Sequence, residues 1–184
     1  MPPQKMSKTI SLRGVAAAVQ STPMLVIIWT VTFIYMGALV PVLQQRVTRW
    51  DFSIYYASAL ALREGANPYR DDLKPFSDQV GVNTVEIHRA AHPPTFLLCF
   101  EPLTLLNPKA AYWIWFLINL AALVGILLML LGPRSGLGIR AALALVAFAL
   151  LYGPLCMHFL YAQSQLIVLL MILLGTNWLR AGRN

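Results

Sequence analysis

Residues 50–69, WDFSIYYASALALREGANPY, place one carboxylate and two adjacent tyrosines directly after a long apolar stretch. Asp51 is suited to two roles. It can cap the N-terminus of the helix that follows, or it can act as a general base if partial burial raises its pKa toward the working pH. The roles are compatible if one carboxylate oxygen caps the helix and the other faces a cleft.

Other polar side chains could join such a site. Arg46, Arg49, Arg89 and His92 could bind an anionic group, or they could contact lipid headgroups and solvent. Gln163 could hydrogen-bond a substrate, or it could be an ordinary polar turn residue.

The remaining polar residues suggest no further site by their pattern. Glu101 could be a second carboxylate or could face water or a partner arginine. We expect His88 and His158 to be structural, and the pair Asp71–Asp72 to be a solvated turn. No Asp, Glu or His cluster suggests a metal ion, and we expect no cofactor.

The elements that must position these residues are membrane elements. The chain has 184 residues, of which 58% are hydrophobic and 11% are charged, against about 25% charged in ordinary globular domains. The net charge is +7, but the basic residues are scattered between apolar runs. This pattern reports membrane orientation rather than binding to nucleic acid. Cys99 and Cys156 lie in apolar runs, and we expect them to be buried thiols.

A transmembrane helix needs about 20 mostly apolar residues, and the sequence predicts four spans. The first apolar stretch is too long for the core of a signal peptide and lacks a clear cleavage site, so an uncleaved anchor is favoured. The segment His92–Pro108 is bracketed by prolines and has an apolar part of about 13 residues, which suits an interfacial or re-entrant helix. The predicted spans are about 24–43, 110–131, 141–160 and 164–180, with a cytoplasmic tail at 1–22, an external loop at 44–109 and a membrane module over 23–184.

The distribution of charge supports this topology. With four spans, the cytoplasmic side carries seven basic residues and no acidic residue, and all seven acidic residues lie outside. A crossing by His92–Pro108 would move Arg134, Arg140, Arg180 and Arg183 outside, against the positive-inside tendency.

The external loop begins with the pattern of a helix of about 13 residues, in which Tyr55, Ala59 and Leu62 share one face. Gly65 is suited to the position after the helix C-terminus, and Pro68 prevents continuation. We expect this amphipathic helix to lie at the membrane surface with its tyrosines at headgroup level, followed by an irregular stretch with a short helix.

Three segments together resemble a known family. WDFSIYYASALALREGANPY, HPPTFLLCFEPLTLLNPKAAYWIWFLINLAAL and GPLCMHFLYAQSQLIVLLMILL are similar, in that order, to the N-terminal half of glycosyltransferase family 87, also called DUF2029. The resemblance covers about residues 24–180. The family's Gly-x-x-Pro-Tyr turn is present after the Tyr-Tyr helix, whereas its Tyr-Pro-Pro segment starts here with His92 and its Gly-Gln pair reads Ala162–Gln163. Glu101 is a further departure, inside an apolar stretch of the family pattern.

The resemblance implies a partial GT-C fold in a bacterial plasma membrane, with the active face outside the cytoplasm. It implies an inverting hexosyltransferase or mannosyltransferase of the cell envelope, with a polyprenyl-phosphate sugar as donor and a lipid or glycan as acceptor. Asp51 would be the general base. Tyr55, Tyr56, Arg89, His92 and Gln163 are the candidate substrate-binding residues.

Chains of this family are about twice as long, so the resemblance predicts a missing C-terminal half, as in a fragment, a split enzyme or an inactive remnant. A non-catalytic membrane subunit is therefore the alternative function. A small transporter is less favoured, because the interiors of the predicted spans carry no charged residue of the kind that coupling sites use.

Overall fold

The computed structural model describes residues 12–46, 50–82, 89–132 and 135–182, and in these ranges the chain is helical without β-strands. The expected all-α membrane architecture is confirmed. Arg49 and His88 lie outside the described residues, as do residues 1–11 of the predicted N-terminal tail. The helices are α1 Leu12–Val19, α2 Thr22–Arg46, α3 Trp50–Arg63, α4 Lys74–Val80, α5 Pro94–Phe100, a 3₁₀ segment Glu101–Leu105, α6 Pro108–Leu131, α7 Ile139–Leu151, α8 Gly153–Tyr161 and α9 Gln165–Arg180.

Two of these helices are long and apolar enough to cross a bilayer on their own. They are Thr22–Leu43 within α2 and Pro108–Leu131, which is α6, with mean hydropathies of 2.2 and 2.7. Both coincide with predicted spans. Only 6% of the most apolar part of Thr22–Leu43 is buried within the described protein, so most of its apolar side chains are free to face lipid.

The third predicted span, 141–160, is not one straight helix. α7 and α8 meet at Tyr152 with a bend of 54°, and they count as one span only if the bent pair is taken together. Pro154 explains the break, because proline cannot donate the backbone hydrogen bond of a continuing helix and its ring clashes with the preceding turn. Pro154 instead lies in the first turn of α8, where the missing N–H is tolerated.

The fourth predicted span corresponds to α9, which has 16 residues. At about 1.5 Å per residue this helix is roughly 24 Å long, somewhat less than the hydrocarbon thickness of about 30 Å. The four crossings therefore remain a prediction.

α6 and α9 pack side by side and run in the same direction. Near the start of α6, the indole of Trp115 bonds to the carbonyl of Ala162, just before α9. Further along α6, Gly125 faces Leu170, with 3.2 Å between the leucine Cδ1 and the position of an added Cβ. A parallel course requires the intervening α7–α8 pair to return the chain to the starting side, as the predicted topology requires.

The described residues between α2 and α6 form a compact layer around α3, which we call the Asp51 layer. α3 packs against α4, α5, the 3₁₀ segment and α8. The apolar unit Pro94–Leu105 is roughly 18 Å long at helical rise, too short to cross a bilayer of about 30 Å. This length agrees with an interfacial or re-entrant piece.

The expected one-sided burial of α3 is wrong. All residues from Phe52 to Ala61 are buried, including Tyr55 and Tyr56, which are each 2% exposed. The tyrosines therefore lie in the protein core rather than open to headgroups. The apolar periodicity predicts burial of only one face of α3, because Ser53, Ala57 and Ser58 interrupt the apolar stripe. These side chains are nevertheless buried, since they are small enough to fit against neighbouring elements.

The C-terminal end of α3 is fixed as expected at Gly65. Gly65 has φ of +82°, its N–H bonds to the Leu62 carbonyl and the N–H of Ala66 bonds to the Ala61 carbonyl. This pair of bonds is the Schellman motif. Beside it, Arg63 donates to the Thr104 carbonyl at 2.7 Å, which ties α3 to the 3₁₀ segment.

Candidate functional site

Three separate parts of the chain converge around the first turns of α3. Asp51 and Tyr55 come from α3, His92 comes from the segment before α5, and Gln163 comes from the turn between α8 and α9. Ser164 joins them from the same turn, beside Tyr55. Four of the residues singled out in the sequence, together with Ser164, thus form one cluster, which we call the Asp51 cluster: Asp51, Tyr55, His92, Gln163 and Ser164.

Asp51 is a half-buried carboxylate. It lies inside the first turn of α3, which begins at Trp50, so it is not the residue preceding the helix. Burial raises the pKa of the Asp51 carboxyl, while a hydrogen bond from the Gln163 side chain and the proximity of His92 lower that pKa in part. The helix N-terminus also favours a negative charge at this point. A carboxylate with a raised pKa and a fixed neighbour has the properties of a general base.

Tyr55 joins the cluster to the aromatic core. Its ring lies 4.5 Å from that of His92, 4.9 Å from that of Phe96 and 5.7 Å from that of Phe100, measured between centroids in edge-to-face contacts. Burial, and secondly the negative charge of Asp51, raise the pKa of the Tyr55 hydroxyl, which hydrogen-bonds to Ser164. Tyr55 therefore remains protonated and neutral, available as a hydrogen-bonding group beside the carboxylate.

His92 is held in the cluster by its backbone. The Tyr69 hydroxyl donates to the His92 carbonyl at 2.6 Å, and the N–H of Ala90 donates to the Pro68 carbonyl at 2.7 Å. The Pro68–Tyr69 turn thus positions the His-Pro-Pro segment. Burial lowers the pKa of His92 more than Asp51 raises it, so the ring is neutral at neutral pH. Its Nδ1 atom is buried and has no hydrogen-bond partner in the described residues.

The turn between α8 and α9 brings Gln163 to Asp51. Ala162 adopts a left-handed conformation, with φ of 55° and ψ of 40°. The N–H of Ala162 bonds to the Phe159 carbonyl and that of Gln163 to the His158 carbonyl. This is the same motif that ends α3 at Gly65, with alanine at the position that glycine usually occupies. The Ala162–Gln163 pair noted in the sequence therefore lies at the helix-ending turn between α8 and α9.

Two of the candidate substrate-binding residues are not members of the Asp51 cluster. Tyr56 points away from the cluster, and its hydroxyl donates to the Leu106 carbonyl at 2.6 Å. Arg89 is exposed. Glu101 begins the 3₁₀ segment, where its carbonyl accepts a bond from the Thr104 hydroxyl. His158 is buried and its Nε2 lies 3.0 Å from Asn119 Oδ1, as expected for a structural histidine.

Two residues at the site are not among those identified from the sequence. Ser164 belongs to the Asp51 cluster, and Trp115 contacts Tyr55 and the turn that carries Gln163. A tryptophan in a predicted span indicates a hydrogen bond to some acceptor, because a buried indole N–H usually finds one. Its acceptor lies 47 residues away, which no sequence spacing indicates.

The described residues include no group of three or more His, Cys, Asp or Glu side chains that could hold a metal ion. The side chains of the Asp51 cluster are a carboxylate, a neutral imidazole, a phenol, an amide and the Ser164 hydroxyl. Such a set can accept a proton and orient a polar substrate.

Comparison with known proteins gives one family. The model of glycosyltransferase family 87 matches residues 91–184, just over half of the chain. No curated protein and no solved structure matches the chain significantly. The matched range contains His92, Gln163 and Ser164, whereas Asp51 and Tyr55 precede it and join them through the fold.

Proposed function

This chain belongs to glycosyltransferase family 87, and from that premise we propose that the Asp51 cluster transfers a hexosyl group, such as mannosyl, from a polyprenyl-phosphate sugar to a lipid or glycan acceptor. Family membership together with the apolar helices establishes a membrane glycosyltransferase in general terms. The observation that carries the finer proposal is that His92 and Gln163, from two other segments of the chain, lie beside the half-buried carboxylate of Asp51.

In the proposed reaction, the Asp51 carboxylate takes the proton of the acceptor hydroxyl. The acceptor oxygen forms a bond to the anomeric carbon while the bond from that carbon to the phosphate oxygen breaks. The polyprenyl phosphate leaves with that electron pair from the opposite face, so that the configuration inverts. Asp51 then returns its proton to water.

The environment of Asp51 supports the role of base. A general base works best when its pKa approaches the working pH, and burial moves the Asp51 pKa in that direction. A hydrogen bond from the Gln163 side chain restricts the orientation of the carboxylate. Neutral His92, with an unpartnered buried nitrogen, is placed to hydrogen-bond the sugar.

The leaving phosphate requires positive charge or hydrogen-bond donors. Arg89, three residues before His92, is an exposed candidate for this role. Arg46 and Arg49 remain candidates from the sequence, and their side chains lie outside the described residues.

The place of the cluster in the chain supports a lipid-linked donor. α3 lies in the chain between α2 and α6, both of which contain an apolar helix long enough to cross a bilayer. An isoprenoid chain can therefore remain in the bilayer while its phosphate and sugar reach the Asp51 layer. We propose that this layer faces the outside of a bacterial plasma membrane.

A transfer assay in native membranes tests the function. Membranes from cells that carry the gene in its genomic context would be given radiolabelled polyprenyl-phosphate mannose or glucose, with membranes from a deletion strain as control. We expect label in an endogenous glycolipid or glycan only when the gene is present. Equal labelling in both strains would contradict the function and favour a non-catalytic membrane subunit.

The pH dependence of transfer should reflect Asp51. Because the base must be deprotonated, kcat/KM should fall as pH decreases through the pKa of Asp51, which lies above the ordinary value of about 3.9 for aspartate. The measurement is the initial rate of transfer across the acidic range, with Asp78→Asn as the control whose profile should match wild type. A rate that stays constant down to the ordinary pKa of aspartate would contradict the assignment.

A further inference from the structure

We propose that Trp115 is a positioning residue that holds Gln163 against Asp51 through its hydrogen bond to the Ala162 carbonyl. The bond from indole Nε1 to the Ala162 oxygen measures 2.7 Å and is buried. Its effect on transfer rests on the proposed function, whereas its effect on the Asp51 environment does not.

The turn that carries Gln163 needs such support. Ala162 is the only residue other than glycine with positive φ among the described residues, and the left-handed conformation costs an L-residue roughly 1–2 kcal/mol. Ala162 is also buried, at 7% exposure, in the same core cluster as Phe52, Tyr55 and Trp115. A hydrogen bond to its carbonyl fixes the orientation of the peptide that leads into Gln163.

The Trp115 ring also contacts aromatic residues of α5 and, through Tyr55, α3 itself. Its ring centroid lies 5.1 Å from that of Phe100, 5.9 Å from that of Phe96 and 6.2 Å from that of Tyr55. Trp115 is 6% exposed. One rigid side chain therefore touches both the helix that carries Asp51 and the turn that carries Gln163, so it sets their separation.

A second set of bonds closes a loop through the same turn. The Trp115 carbonyl accepts a bond from Asn119 Nδ2 at 3.0 Å, and Asn119 Oδ1 lies 3.0 Å from His158 Nε2. The His158 carbonyl in turn accepts the backbone N–H of Gln163 at 3.0 Å. The backbone next to Gln163 is thus held by two hydrogen bonds, one at the Ala162 carbonyl and one at the Gln163 N–H. The buried pair Asn119–His158 connects the residues that make these two bonds.

The pKa of Asp51 depends on its hydrogen bond to Gln163, so a measurement of Asp51 protonation tests the role of Trp115 without an assay of sugar transfer. Dicyclohexylcarbodiimide, an apolar reagent, modifies protonated carboxyl groups that are shielded from water, and mass spectrometry of the Asp51 peptide measures the extent. Labelling should decline as pH rises through the pKa of Asp51. Tyr55 and His92 also act on Asp51, but neither is changed in the variants used.

Trp115→Phe removes the N–H and retains an aromatic ring. The Gln163 hydrogen bond lowers the pKa of Asp51, so loss of that contact should shift the midpoint of labelling to higher pH. Gln163→Leu should give a shift in the same direction, and the double variant should shift no further than Gln163→Leu alone, because both changes remove one interaction. Trp115→Leu, a second variant without the N–H, should also shift the midpoint upward.

Trp113→Phe is the matched control. Trp113 lies on the same helix, is 38% exposed and should leave the midpoint unchanged. A shift with Gln163→Leu but none with either Trp115 variant would overturn the proposal, as would the same shift with Trp113→Phe. The absence of a shift in every variant would also overturn it, since Gln163 would then not contact Asp51.

Where transfer is measurable, Trp115→Phe should lower kcat roughly tenfold, the effect of one lost hydrogen bond on a base, with little change in KM. If the carbodiimide profile shifts as expected while wild-type membranes transfer no sugar, the proposed function fails and the positioning role stands.

Discussion

Asp51→Asn should lower sugar transfer by about 100- to 10,000-fold, the usual contribution of a general base. Asparagine has nearly the same shape and can still hydrogen-bond, but it cannot accept the proton of the acceptor hydroxyl. The measurement is transfer from a radiolabelled polyprenyl-phosphate sugar by membranes in which only this codon of the genomic copy is changed.

Asp78→Asn is the matched control for the loss of one carboxylate. Asp78 pairs with Lys74 at 2.9 Å on the exposed side of α4, and exposed pairs of this kind contribute only about 0–1 kcal/mol. Its variant should transfer sugar at the wild-type rate. Normal transfer by Asp51→Asn would remove Asp51 from the mechanism.

Asp51→Asn should not unfold the protein. The pKa of Asp51 is raised in the folded state, so the ionised form is disfavoured by folding. The stability associated with Asp51 is fully present below its unfolded pKa and is lost as pH rises through the folded pKa. At neutral pH the neutral asparagine avoids this loss. We therefore expect a thermal midpoint in detergent at or above that of wild type.

Tyr55→Ala should be the most damaging change to the fold of the Asp51 layer. The Tyr55 ring is 2% exposed and contacts the rings of His92, Phe96, Phe100 and Trp115. Its removal leaves a cavity that should cost about 3–5 kcal/mol. For a chain of this size the melting temperature should fall by roughly 6–20 °C, measured by fluorescence-detected gel filtration after heating.

Two other variants define the cause of that loss. Tyr55→Phe keeps all the ring contacts and should retain most of the stability, because it removes only the hydroxyl near Asp51 and Ser164. Tyr152→Ala changes a tyrosine that is 61% exposed and should shift stability by no more than about 0.5 kcal/mol. If the melting temperature of Tyr55→Ala falls no further than that of Tyr152→Ala, the aromatic core is not packed as described.

The members of the Asp51 cluster could largely be identified from the sequence. Asp51 follows a membrane-length segment, His92 precedes two prolines, and Gln163 interrupts a long apolar run. Each of these features is local in the chain. Because polar residues are costly inside a bilayer, their positions between apolar segments already restrict them to a membrane face, where the fold brings them together.

The orientation of the adjacent tyrosines could not be predicted. Neighbouring residues on a helix point about 100° apart, so Tyr55 and Tyr56 cannot both face one cluster. Tyr55 faces Asp51, whereas Tyr56 is occupied by the Leu106 carbonyl. Which one faces the site depends on how α5 and the 3₁₀ segment pack against α3, and this packing is not encoded in local spacing.

The break at Tyr152 had a visible signal that hydropathy obscured. A hydropathy window counts Pro154 as one residue among many apolar ones, although its missing N–H forces the helix to restart. The contact between Trp115 and Ala162 had no such signal, since it links residues of two helices through a single side chain. Such contacts emerge only from the packing of whole helices.

The choice of a lipid-linked donor depends on the Asp51 layer lying outside the cytoplasm, and thiol labelling tests this position directly. Arg70→Cys places a thiol on the exposed surface of that layer, and Ser135→Cys places one in the turn after α6, both in a Cys99→Ala background with Cys156 left buried. A membrane-impermeant maleimide applied to intact cells should label Arg70→Cys and should label Ser135→Cys only after permeabilisation. Labelling of Ser135→Cys but not Arg70→Cys in intact cells would place the cluster in the cytosol and contradict the proposed chemistry.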